Sequence, residues 1–173
     1  MPHPLVLAVY ADPASAARAG RALRDVGFEP DRVSIVARSH QDEGEIAEAV
    51  GASPGAEIED SRPAARVAEL GAFVLAAIAL VMPGVGPTVA AGPLAAEFGE
   101  AAGHVAGGIA SVLEKAGLSD AQAADWQRRI EAGAILLGVH VIDKVPATVE
   151  LLLRQTGASD IVTTTWPGED RVH

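Results

Sequence analysis

The chain has 173 residues, enough for one domain or for one domain carrying a large insertion. Its formal charge of −10 and pI near 4.8 repel phosphate backbones, which argues against nucleic acid as a partner. With no cysteine there is neither a disulfide framework nor a thiolate metal site, and an aromatic content of 3% leaves the core to Ala, Val, Leu and Ile.

In chain order, the first residues lack a basic run ahead of a long apolar stretch, so a cytoplasmic location is expected rather than export. Residues 5–10 form a short apolar run ending at Asp12 and Pro13, which predicts a buried strand. Asp12 is placed to cap a helix with Pro13 in its first turn. Ala16, Ala19, Ala22, Leu23 and Val26 then recur at helical spacing until Gly27 stops the run. Residues 32–38 alternate well enough for a second strand. Residues 39–62 are acidic and broken by Gly44, Gly51, Pro54 and Gly55, predicting a flexible, solvated connection with a short helical patch at 45–50.

No charged residue occurs between positions 70 and 96, a run long enough as a helix to cross a bilayer. Pro83, Gly84, Gly86 and Pro87 interrupt it, so the sequence predicts an apolar helical hairpin over 63–117 that turns there and resumes near Thr88. In the second arm Gly92, Ala96, Gly99, Gly103 and Gly107 recur about every four residues, and small residues along one ridge let helices approach closely. This glycine-zipper-like ridge is the candidate oligomer or membrane contact. Ser119 and Asp120 then offer an N-cap for a helix through Trp126 to Glu131, with Arg128 and Arg129 as surface charges.

The far end mirrors the near one. Residues 134–142 predict a strand, 146–156 a helix with Val149, Leu152 and Leu153 on one face and Gly157 as its stop, and 161–166 a last strand. Two strand–helix–strand ends predict a single α+β domain over 1–173. Its core would be a four-stranded ferredoxin-like antiparallel sheet with helices on one face, and the Ala/Gly-rich helical hairpin would be inserted between the halves.

Three motifs stand together along the chain: Gly27 and Phe28 ahead of Val33-Ser34-Ile35-Val36-Ala37-Arg38; Met82 to Pro87 followed by Ala90-Ala91-Gly92-Pro93-Leu94-Ala95; and Trp126, Ile130 and Gly133 ahead of an apolar strand at 139–141. Together they resemble the bacterial general-stress, or heat-induced stress, protein family, over most of the chain. The resemblance implies a role in stress response with no defined chemistry, and it carries over no catalytic residues.

The residues themselves point the same way. Gly84-Val85-Gly86 lacks the Gly-Lys-Ser/Thr ending of a phosphate loop and reads as a turn. The histidines at 3, 40, 104, 140 and 173 show no i, i+4 metal spacing; His104 and His140 are the speculative ligand contacts, meeting only if the hairpin folds back onto the sheet. Ser111, Ser119 and Thr163 to Thr165 sit in no nucleophile elbow, and Glu57, Glu59 and Asp60 read as a solvated acidic loop. No enzyme activity, cofactor or bound metal is expected, and no small-molecule substrate is implied. The expected function is self-association through the hairpin into a homo-oligomer. One alternative is a peripheral or re-entrant membrane protein using the same hairpin, and another is a small-ligand or metal sensor on the sheet.

Overall fold

The computed structural model describes residues 1–38, 77–82, 86–95, 97 and 108–167. Strand β1 (His3–Tyr10) leads into Asp12, whose carboxylate accepts the Ser15 backbone N–H at 2.8 Å and so caps helix α1 (Pro13–Asp25). Gly27, at φ +85, ends that helical run ahead of β2 (Val33–Arg38). There follow β3 (Ala77–Met82), β4 (Gly86–Ala91), α2 (Ile109–Lys115), α3 (Asp120–Glu131), β5 (Ile135–His140), α4 (Pro146–Gln155) and β6 (Asp160–Trp166). A reciprocal capping box between Ser119 and Gln122 starts α3.

The described strands form one antiparallel sheet in the order β3-β4-β2-β5-β1-β6, so the molecule is α+β. β5 lies between β1 and β2, and β1 lies between β5 and β6. Each strand–helix–strand unit is thus split by a strand of the other. Helices cover both faces rather than the single face expected. Leu5, Leu7 and Val9 pack in one cluster with Leu113 of α2 and with Trp126 and Ile130 of α3. Val6, Ala8 and Tyr10 pack in another with Leu23 of α1 and with Val149 and Leu153 of α4. Burial on both faces is the reason β1 reads as a continuous apolar run rather than an alternating one.

The predicted helical hairpin is corrected within residues 77–91. In place of helical arms stand two strands, β3 and β4, paired from Ala77↔Ala91 to Met82↔Gly86, so Gly86 and Pro87, expected in the turn, lie in β4. The physical reason is the neighbour. The β2 edge offers unpaired backbone groups, and β4 takes them up from Ile35↔Ala91 to Arg38↔Thr88. Pro87 lies just beyond that ladder and so costs it no hydrogen bond. The sheet therefore has six strands instead of four.

Past β4 the chain turns back over the sheet at Gly92, whose φ is +82. A Cβ at Gly92 would lie 2.1 Å from the Val33 carbonyl oxygen, so no other residue fits. The turn delivers Leu94, whose backbone N–H donates to the buried Ser34 hydroxyl at 3.0 Å. The Leu94 side chain lies over Gly138 in β5, where an added Cβ would come within 2.9 Å of Leu94 Cδ1 and 3.2 Å of Leu7 Cδ2. Arg38, at the end of β2, donates to the Glu131 carbonyl at the end of α3.

These contacts rank three substitutions. Gly92→Ala collides with rigid backbone in a left-handed conformation and should cost about 3 kcal/mol or more. Gly138→Ala meets the flexible ends of two leucines and should cost about 1–2 kcal/mol, and Ser34→Ala strands a buried N–H for about 1–3 kcal/mol. Urea unfolding checks the order; Gly92→Ala ranking as the mildest would contradict this account of the turn.

Candidate functional site

Two places outside the plain core are candidates for function: the apolar hairpin edge and the end of the sheet where His3, His140 and Trp166 meet. β3 occupies one edge of the sheet and, among the described residues, pairs only with β4. Its sequence, Ala-Ile-Ala-Leu-Val-Met, contains no charge and no proline. Lysines, prolines and inward-pointing charges are the usual means by which proteins blunt such an edge, and β3 carries none of them.

The sequence-predicted positions distribute as follows. Gly92 belongs to the turn against Val33, not to a helical ridge. Gly86 and Pro87 lie at the start of β4. Pro83, Gly84, Ala96, Gly99, Gly103, Gly107 and His104 lie outside the described residues, as do the acidic stretch 39–62 with Glu57, Glu59 and Asp60 and the hairpin segments 63–76 and 98–107. His140 is described, and the meeting with His104 is therefore not one the structure addresses.

His140 instead meets His3. The two rings approach with His3 Nε2 2.8 Å from His140 Nδ1, and His3 Nδ1 lies 3.1 Å from the Met1 carbonyl oxygen. Trp166 stands edge-on to His140, with ring centroids 5.5 Å apart. Antiparallel pairing makes this cluster: Leu5 sits opposite His140 and His3 opposite Trp166, so the start of β1 lies between the ends of β5 and β6. His140 is 4% exposed and its Nε2 is buried without a hydrogen-bond partner. Desolvation, with the nearby His3 as a smaller cause, pushes its pKa down to about 4. No sequence signal links residues 137 positions apart; only strand register does.

The hydroxyls weighed as nucleophiles hold structure. Ser119 caps α3, Thr163 donates to Glu150, and Thr164 donates to the Ala116 carbonyl. Tyr10 donates from the sheet to the Leu153 carbonyl at 3.1 Å, and burial pushes its phenol up to about 12. Trp126 anchors α3 to the start of β6 by donating to Asp160 at 2.9 Å, a partner that Arg129 also approaches. Among the described residues no group of three or more His, Asp or Glu side chains could hold a metal ion, and no helix is long and apolar enough to cross a membrane. No family model, curated protein or solved structure matches the chain.

The depressed His140 pKa sets a pH dependence. A histidine harder to protonate when folded leaves the unfolded chain binding more protons. Stability therefore falls as pH drops below the ordinary value of 6.5, down to about 4. The full loss is about 3 kcal/mol at most. Urea midpoints measured across that range should decline in the wild type and decline less in His140→Leu; parallel curves would remove His140 as the cause.

Proposed function

We propose that the protein is a non-catalytic, stress-associated module that acts by self-association through its apolar hairpin. The carrying observation is β3, an uncharged apolar strand at the edge of the sheet, bordered by β4 alone among the described residues. A second copy of the same strand, laid antiparallel across a two-fold axis, would satisfy both backbone rows at once and extend one sheet across two subunits. Expected first as helix packing, the contact is now proposed as strand pairing. The net charge of −10 keeps the rest of the surface mutually repellent and so favours one defined contact over indiscriminate clustering.

Two finer readings go with this one. The order β6-β1-β5-β2, with its two interleaved strand–helix–strand units, supports a ferredoxin-like core into which residues 39–134 are inserted. The stress-family resemblance rests on the motif residues alone; in the fold those residues contact one another. Ser34 of the first motif receives the N–H of Leu94 from the second, and Arg38 caps the helix that carries Trp126 and Ile130 of the third. The acidic, cysteine-free composition suits a cytoplasmic setting.

Light scattering on purified protein tests the association. The wild type should have a mass that is a multiple of 17.6 kDa. Ala79→Lys and Leu80→Lys each introduce a cation into β3, at successive positions, and each should return the mass to the monomer. A wild type that stays at 17.6 kDa at every concentration, or an oligomer that both variants leave intact, would overturn the reading.

A further inference from the structure

The hydrogen bonds around His3 and His140 assign every proton in the pair. The Met1 carbonyl can only accept, so the His3 nitrogen facing it, Nδ1, carries hydrogen. Neutral His3 then presents a lone pair at Nε2, and the hydrogen in the 2.8 Å contact belongs to His140 Nδ1. Neutral His140 has one such hydrogen, which leaves its Nε2 a bare lone pair. That is the atom found buried and unpartnered.

An added proton has nowhere good to go. Placed on His140, it creates an N–H at the buried Nε2 with no acceptor. Placed on His3 Nε2, it turns His140 Nδ1 into the acceptor and drives the His140 hydrogen to that same buried Nε2. Either route leaves an unsatisfied donor and a positive charge beside an apolar wall, the arrangement that folding tolerates least. Release of His3 from His140 removes both penalties by letting water in.

We propose that the His3–His140 pair is a proton-sensitive clasp, fastening the start of β1 between β5 and β6 while neutral and letting that end go when protonated. The elements packed around His140 bear this out. β1 contributes His3 and the apolar Leu5, and β6 contributes the uncharged Trp166; His3 is the one charged or titratable group among the described residues that acts on it. No carboxylate stands by to hold an imidazolium in place. The clasp also sits at strand ends, where the Val141 N–H to Pro4 carbonyl bond is the adjoining backbone tie. Parting these few residues leaves Leu5 to Tyr10 in the core, so opening is local rather than global.

NMR of the full chain tests this directly. At neutral pH the His140 ring should show hydrogen on Nδ1 and none on Nε2. Between pH 6.5 and about 4 the Trp166 indole N–H signal should shift. Exchange of the Val141 amide, corrected for intrinsic pH dependence, should rise about tenfold relative to the Ser159 amide, which is bonded to Val9 at the other end of β1. In His140→Leu both changes should vanish. Hydrogen on His140 Nε2 in the wild type at neutral pH would overturn the proposal without recourse to any variant. So would a Trp166 shift of equal size in both proteins, or an unchanged Val141 amide down to pH 4.

Discussion

The seating of Leu94 over Gly138 is the constraint on which the rest of the arrangement depends. β5 lies at the middle of the sheet, and a bare backbone at Gly138 leaves a slot one side chain deep between Leu7 and Ser34. Leu94 fills the slot, and burying a leucine contributes about 1.5–3 kcal/mol. Its N–H would otherwise be desolvated beneath the neighbouring helices, and the Ser34 hydroxyl accepts it. For the chain to arrive there, Gly92 must turn against the Val33 carbonyl, and that turn fixes β4 beside β2. One hydrophobic contact thus determines where the insertion joins the sheet. Ala90, Leu94, Ile109 and Trp126 consequently share a cluster with Leu5 and Leu136, and the insertion is part of the core instead of an appended arm.

Much of this was legible because local chemistry and tertiary packing agree. Asp12 with Pro13 announces α1, Ser119 with Asp120 announces α3, and the runs around Leu7, Ile35, Leu137 and Val162 announce four strands, all of which form. Residues 77–91 misled because a charge-free apolar run has no polar face, and without one neither a period of 2 nor of 3.6 can be read. The arms are strands rather than helices, and Gly86 and Pro87, expected in the turn, belong to β4. The β-branched Ile78, Val81, Thr88 and Val89 were the available hint. Gly92 was counted on a helical ridge by spacing alone, whereas its role comes from a backbone that only the folded chain brings near.

The histidine pair was illegible for a different reason. His3 and His140 are ordinary in their own segments, and their meeting follows from strand order and register, which set which strand ends lie side by side. The sequence contains the residues but not the pairing. The same holds for Trp126 and Asp160, joined across the α3–β6 boundary.

The two candidate features make opposite demands on the sheet, and the topology keeps them apart. Association through β3 needs a rigid edge, and β3 is backed by β4, which Leu94 and Gly92 lock to β2. The clasp needs an end that can part, and it lies where β1 begins, three strands away from β4 across β2 and β5. β1 itself is sealed between two helical layers from Leu5 to Tyr10, so loosening at His3 reaches no further than the first core residue. Helices on both faces are what permit this. Had they covered one face only, the start of β1 would have been half-solvated already, and a histidine at position 140 would have titrated in water with nothing to gate.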